Sequence, residues 1–266
     1  MSRTRGMWNT RGMWVAGVVL AAVVGLTGYA MFNGDDDGGA TAGKGSARPS
    51  ASSSSVGAAP TYQAPDDWVE PERWAALPRG SRTDGRGSQV GFPHTTEGAV
   101  AMLAAANTTD IEGERSTVDE QLRIYYSYMG SDGRSSDTAE QIELNAQQTD
   151  KTVHKQMGVP AGDALPSGAY LRNTVVGFKV LQASDDEVSA WLLARVVQKN
   201  GETAKEQASY TRTLAAARWQ DGDWKLSVDA TVRAQKKAQN QTEPKMAAPG
   251  DAKFNDYGGT AIREAS

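Results

Sequence analysis

Two histidines carry most of the chemistry that this sequence offers near neutral pH. His94 lies in GFPHTTEGAVAMLAA, residues 91–105, beside threonine and glutamate, a setting in which an imidazole can act as a general base. The same position directly precedes a threonine N-cap and an alanine-rich pattern at helical spacing. The spacing therefore predicts that Thr95 begins a helix and that His94 belongs to the helix entry rather than to a catalytic site.

Other residue types exclude several kinds of chemistry. The chain has no cysteine, and His154 lies far from His94 in sequence, so neither a thiolate nucleophile nor a zinc site is expected. Asp132 and Asp137, in the loop GSDGRSSD, lack the spacing of an EF-hand calcium loop. No serine elbow or phosphate-binding glycine loop occurs. We therefore predict no catalytic, cofactor-binding or metal-ligating residue, no cofactor and no enzyme activity.

A net charge of -4 at pH 7 and a pI near 5.3 also bear on partners. Because such a chain presents no net positive field to a phosphate backbone, direct nucleic-acid binding is not expected. One alternative stays open, a cone-shaped pocket of the kind in which small isomerases use a buried acid and a tyrosine. Four tyrosines could line it, although no acid falls at an inward position of a predicted strand: Tyr125, Tyr126, Tyr128 and Tyr170.

The N-terminal part of the chain is predicted to be a membrane anchor. Residues 13–32 carry no charge and supply the roughly 20 apolar residues that a helix needs to cross a bilayer. Three arginines precede this span: Arg3, Arg5 and Arg11. The positive-inside rule therefore makes residues 1–12 a cytoplasmic stub, makes the chain a single-pass protein of the cell membrane, and places the rest outside the cytoplasm. A cleaved signal peptide ending near Gly28-Tyr29-Ala30 is the competing interpretation.

Composition then separates a linker, a domain and a tail. Residues 33–88 are rich in small and polar residues and are predicted to be an extracytoplasmic linker, mostly disordered. A flexible linker does not need two large aromatic side chains such as Trp68 and Trp74. These residues therefore either pack on the chain's own domain or bind a partner. Residues 236–266 return to a polar composition and are predicted to be a disordered tail, which leaves residues 89–235 as the folded domain.

The periodicity within this domain changes from helical to strand-like. Helices are predicted from Thr95, over residues 116–129 with Ser116 and Asp119 as a capping box, and over residues 137–157. Strands are predicted at residues 170–183, 187–198, 203–219 and 224–230, with hairpin turns at Asn200-Gly201 and Asp221-Gly222. The expected fold class is α+β: an N-terminal transmembrane helix, a flexible linker, and a cone-shaped domain of three helices packed on a curved antiparallel sheet.

Two sequence features resemble known families. Three helices followed by a sheet that ends in DGDWKL, residues 221–226, resemble the nuclear-transport-factor-two-like superfamily. The stretch GFPHTTEGAVAMLAAANTT, residues 91–109, resembles membrane-anchored proteins of actinobacterial integrative and conjugative elements, apart from Thr96, where a proline is often found.

The resemblance implies a non-enzymatic scaffold subunit of a conjugative, type IV secretion-like DNA-transfer apparatus. Its expected partners are other membrane subunits of that complex, further copies of itself in a homo-oligomer, and the lipid bilayer through residues 13–32. Two alternatives remain: an extracytoplasmic domain that binds a small ligand or acts as an isomerase, and a cell-envelope accessory protein of an unrelated system.

Overall fold

The computed structural model describes residues 67–241, 243–244 and 246–263. The predicted stub 1–12, the predicted span 13–32 and the linker up to residue 66 lie outside these residues. The described helices are α1 Thr96–Ala106, α2 Thr117–Tyr128, α3 Ser136–Met157, α4 Val228–Ala238 and α5 Ala252–Asp256. The described strands are β1 Trp74–Ala75, β2 Arg82–Thr83, β3 Gln89–Val90, β4 Thr109–Glu112, β5 Ala169–Ala183, β6 Glu187–Asn200, β7 Gln207–Gln220, β8 Asp223–Leu226 and β9 Thr260–Ile262.

The predicted helix starts are confirmed. The Thr95 hydroxyl accepts the N–H of Gly98 at the start of α1, and Ser116 forms a complete capping box with Asp119 at the start of α2. Both caps satisfy N–H groups that have no partner within the helix. The third helix runs without a break and ends at Gly158, whose φ of 72° is the left-handed conformation that glycine adopts at low cost.

Three long antiparallel strands, β5, β6 and β7, form the centre of a seven-stranded sheet ordered β1-β9-β5-β6-β7-β8, with β4 also paired to β5. The tight turn between β7 and β8 has positive φ at both Asp221 and Gly222, as predicted for this hairpin. The turn predicted at Asn200-Gly201 is instead a longer loop, because β7 begins only at Gln207. The strand predicted over residues 224–230 ends at Leu226, where Ser227 caps α4.

Helices cover both faces of the sheet. On one face α1 and α2 contribute to the main core, which includes Met102, Tyr125 and Trp224. The opposite face is covered by alanines of α4 and by the C-terminal segment around Phe254. Because side chains alternate between the faces of a strand, β6 and β7 contribute apolar residues to both layers.

The expected fold class was wrong in its architecture. The sheet is mixed rather than antiparallel, because β1 and β9 pair in parallel. Five α-helices, not three, lie in the described part of the chain, and they pack on both faces of the sheet. Within residues 67–241, 243–244 and 246–263, no helix combines the length and the apolar character needed to cross a bilayer.

The expected domain boundaries were also wrong for the residues that the structure describes. The tail predicted to be disordered contains the end of α4, all of α5 and the sheet strand β9, and its Phe254 is fully buried. The linker predicted up to residue 88 contributes β1, which pairs with β9. Trp74 packs against the Phe254 cluster, which is the self-packing alternative. Trp68 lies against Gly250, although 65% of its surface stays exposed.

Candidate functional site

The segment around His94 is fixed by a buried carboxylate at the start of β8. Asp223 is 4% exposed and accepts three backbone N–H groups, each at 2.9 Å, from Gly91, Phe92 and Trp224. The Lys225 ammonium lies 3.1 Å from the second carboxylate oxygen. Hydrogen bonds to a charged acceptor are stronger than neutral ones, so Asp223 ties the entry to α1 firmly to the last hairpin.

A second set of contacts holds the same entry. The indole N–H of Trp224 donates to the carbonyl of Pro93 at 2.9 Å, and the N–H of Thr95 donates to that carbonyl at 2.8 Å. The Cβ that a larger residue would place at Gly98 would lie 2.0 Å from the same carbonyl oxygen. The motifs GFPHTTEG and DGDW, which carry the resemblances, are therefore packed against each other.

His94 lies at the helix entry, as predicted, but its partners belong to the turn between β5 and β6. Its ring stacks on Trp219 with 3.9 Å between the ring centroids and meets the edge of Trp224. Its Nε2 lies 2.8 Å from the carbonyl of Asp185 and 3.1 Å from a carboxylate oxygen of Asp186. Both neighbours are acceptors, so Nε2 carries a proton and is not available there as a base.

An open depression of about 470 Å³ lies beside this ring. Its lining combines the α1 entry with the β5–β6 turn: His94, Thr95, Thr96, Ala183, Ser184 and Asp185. The histidine is half-exposed toward it, but the depression is open to solvent and the carboxylate of Asp186 beside Nε2 is bound to the ring itself. The arrangement fits a structural role for His94.

The structure contains a buried acid that the sequence did not indicate. Glu120 on α2 is 2% exposed and receives two hydrogen bonds from Arg123, at 3.1 and 2.8 Å. Arg123 also donates to the Ser88 hydroxyl and to the carbonyl of Thr108. Burial raises the pKa of the neighbouring Tyr128. Glu120 fits the acid of the isomerase alternative by its burial, but Arg123 donates to both of its side-chain oxygens and ties it to neighbouring loops.

The four tyrosines proposed to line a pocket do not converge. Tyr125 and Tyr128 are buried in the main core, and the Tyr125 hydroxyl donates to the carbonyl of Ser135 at 3.0 Å. Tyr126 is exposed. Tyr170 alternates with residues that pack under α3, so its ring points to the other face of the sheet.

Several buried side chains have polar atoms without a hydrogen-bond partner among the described residues. In that part of the chain both amide atoms of Gln121, on α2, lack a partner, and this side chain is fully buried. The same holds for one side-chain oxygen each of Thr109, Asn173 and Gln198. Thr109 pairs with Asn173 across β4 and β5, and Gln198 pairs with Leu171, so these side chains share a face. Buried polar atoms without partners are costly and mark places where a bound molecule can supply the missing hydrogen bonds.

The second histidine lies in a separate cluster. His154 is 4% exposed, with Nδ1 2.8 Å from the carbonyl of Asp150 and Nε2 2.9 Å from the carbonyl of Asp163. Burial opposes its charge, but these two acceptors and the nearby carboxylates raise the pKa of His154. Asp150 also accepts the N–H of Thr117, so the cluster joins α2, α3 and the loop after α3.

We find no candidate metal site in residues 67–241, 243–244 and 246–263. No group of three or more acidic or histidine side chains there is placed to hold an ion. Asp132 accepts a hydrogen bond from the Gln220 amide, whereas Asp137 accepts one from the Ser136 hydroxyl, so the two acids bind different residues.

The fold and these networks define an α+β domain with helices on both faces of a mixed sheet. Compared with known proteins, the chain matches no family model, no curated protein and no solved structure. The resemblance to conjugative-element proteins therefore stays a prediction.

Proposed function

We propose that this chain is a non-enzymatic, membrane-anchored scaffold subunit of a conjugative, type IV secretion-like transfer apparatus that works through protein contacts of its folded domain. In this proposal the folded domain lies outside the cytoplasm and its partners are other membrane subunits. The sequence motif at residues 91–109 supports the proposal through its resemblance to membrane-anchored proteins of conjugative elements.

One observation carries the proposal. The groups with most potential for chemistry in the described residues are bound to the chain's own backbone and side chains. Asp223 holds the α1 entry, Glu120 is paired with Arg123, and both histidine rings bridge loops to helices. Such bonds fix loops in place and leave the acids and bases occupied, which suits a rigid domain that presents surfaces to partners.

The test is a mating assay combined with co-purification of the tagged full chain from membranes in mild detergent. Deleting the gene should abolish transfer of the element, and the tagged chain should restore transfer and co-purify with other membrane subunits of the apparatus. The control variant Asp221→Asn changes an exposed residue of the β7–β8 turn and should behave like the unchanged chain. Undiminished transfer without the gene, or recovery of the chain without those subunits, would contradict the proposal.

A second candidate function, binding of a small ligand inside the domain, is favoured by Gln121. Its amide is fully buried and neither polar atom has a partner within the described residues, which is unusual in a folded protein. A ligand bearing both a donor and an acceptor would satisfy it. Thermal-shift screening of the full chain with small amides, alcohols and carboxylates tests this, and Gln121→Leu is the matched variant. A shift that is the same in both chains would count against this site.

A further inference from the structure

A cleft with an excess of arginine, called the α2 cleft below, lies between α2 and the hairpin of β2 and β3. Its volume is about 370 Å³. Three arginines line it, Arg86, Arg115 and Arg123, together with two acids, Asp119 and Glu120. The whole chain carries a net charge of -4, so this lining differs in sign from the rest of the protein. A cleft with one more base than acids attracts a single negative charge.

The two acids of the lining are already bound by the chain's own groups. Arg123 donates to both side-chain oxygens of Glu120, and one oxygen of Asp119 accepts two hydrogen bonds in the capping box of α2. Arg115 lies 3.7 Å from Glu120, but 57% of its side chain is exposed. Arg86 is exposed as well. The guanidinium groups of Arg86 and Arg115 are therefore the ones accessible to a ligand.

Arg86 is placed over an aromatic ring. Its guanidinium carbon lies 4.6 Å from the centroid of the Tyr126 ring, a cation–aromatic contact. Among the described residues Arg86 takes part in no ion pair. The stack limits the freedom of the side chain and leaves the edge of the guanidinium, with its N–H donors, open to an anion.

The turn that carries Arg86 is fixed to α2. One oxygen of Asp84 accepts the N–H groups of Arg86 and Ser88, both at 2.9 Å, and the other accepts the Ser127 hydroxyl at 2.6 Å. Arg123 donates to the Ser88 hydroxyl at 3.0 Å. The cleft is therefore formed before any ligand binds, and a ligand pays less for ordering it.

The α2 cleft also has an apolar part. Leu122 is half-buried against the main core, and Tyr126, one turn further along α2, is 38% exposed. Tyrosine and arginine are the residue types that contribute most to binding at the centres of protein interfaces. A volume near the lower end for ligand sites has room for one or two side chains of a partner.

We propose that the α2 cleft binds a segment of a partner protein in which a carboxylate lies beside an apolar side chain. The carboxylate contacts Arg86 and Arg115, and the apolar side chain packs on Leu122 and Tyr126. This inference gives a contact surface to the scaffold role proposed above and rests on it. A nucleic acid suits the cleft less, because its closely spaced phosphates require many cations, whereas the lining has one excess base and the chain is acidic.

Fluorescence anisotropy of the full chain tests the proposal with a labelled peptide in which glutamate alternates with leucine. The same peptide with glutamine in place of glutamate should bind more weakly. Arg86→Gln and Arg115→Gln should each raise the Kd for the acidic peptide about fivefold, the effect of a partly screened charge pair. Arg82→Gln is the matched control, since it neutralises an exposed arginine of the same hairpin outside the cleft lining. It should leave the Kd unchanged.

Several results would overturn the inference. These are equal affinity for the two peptides, no binding of the acidic peptide at about 1 mM, and an equal loss in Arg82→Gln. Tighter binding of a DNA duplex, lost in the same variants, would assign the cleft to nucleic acid instead. Melting curves that match the unchanged chain establish that each variant is folded. Tyr126→Ala is an independent variant that removes the ring beneath Arg86 and should also weaken the acidic peptide.

The outcomes separate this inference from the scaffold role. If the acidic peptide does not bind while the chain still co-purifies with other membrane subunits, the α2 cleft is not the contact and the scaffold role stands. If the peptide binds with the expected pattern of variants but no membrane subunit co-purifies, the scaffold role fails and the cleft remains a site for acidic segments.

Discussion

Replacing Asp223 by asparagine tests whether this carboxylate holds the α1 entry to the last hairpin. Asparagine has nearly the same shape, so no cavity forms. One oxygen remains to accept the N–H groups of Phe92 and Trp224. The amide nitrogen, a donor, then faces the N–H of Gly91 and the ammonium of Lys225, which are also donors. Two hydrogen bonds to a charged acceptor are lost; the N–H of Gly91 loses its acceptor, whereas the ammonium of Lys225 keeps the carbonyl of Ser127.

The size of the effect follows from these contacts. Each hydrogen bond to a charged group contributes about 1.5 kcal/mol at the lower end of the usual range, so Asp223→Asn should lower the free energy of unfolding by about 3 kcal/mol. For a domain of this size, about 2–4 °C of melting temperature corresponds to 1 kcal/mol, which gives a decrease of about 6–12 °C. Asp221→Asn removes the same charge from an exposed residue whose φ is 52°, a conformation that asparagine tolerates, and should change little.

Urea unfolding of the full chain, followed by tryptophan fluorescence, measures both variants. Trp219 and Trp224 lie next to the perturbed contacts and report on them directly. If Asp223→Asn unfolds within about 0.5 kcal/mol of Asp221→Asn, an effect typical of a neutral surface change, the carboxylate does not hold the entry and the reasoning is refuted.

Three further predictions concern the other clusters. His94→Ala should remove the stack on Trp219 and cost about 1 kcal/mol while transfer in the mating assay persists; complete loss of transfer in a folded variant would assign His94 a direct role. Because the pKa of His154 is raised in the folded state, its stabilisation is full below the ordinary value of 6.5 and is lost as pH rises through the higher folded value. Unfolding free energies of the unchanged chain should therefore fall over that window, and His154→Gln should not show this fall. Phe254→Ala should cost about 3–5 kcal/mol in urea unfolding, whereas exposed Lys253→Ala should cost almost nothing.

Local signals predicted the helix starts and the central strands. Thr95 and Ser116 act on N–H groups within three residues, so their capping depends little on the rest of the fold. The strands predicted at residues 170–183 and 187–198 likewise match β5 and β6, since runs of β-branched and aromatic residues bounded by turn residues indicate strands. These features could be predicted because their causes lie within a short stretch of chain.

Features that depend on distant contacts could not be predicted in this way. The C-terminal segment is polar in composition, yet Phe254 is buried because β9 pairs with β5 and with β1 from the other end of the chain. On α2 the aromatic side chain of Tyr126 is exposed whereas Glu120 is buried, because Arg123 pairs with Glu120. Hydrophobic periodicity contains no information about such a pair.

The location of the two motifs bears on how function should be sought in this chain. Gly91 and Phe92 in one motif and Asp223 and Trp224 in the other bind each other, so their residue types are required for the helix entry and the hairpin to meet. A resemblance based on these motifs thus concerns how the domain is built. Residues that bind a partner must have polar groups whose hydrogen bonds are not already made by the chain's own residues. Among the described residues the buried amide of Gln121 meets that condition. Changes at Gln121, rather than at His94, should separate binding from folding.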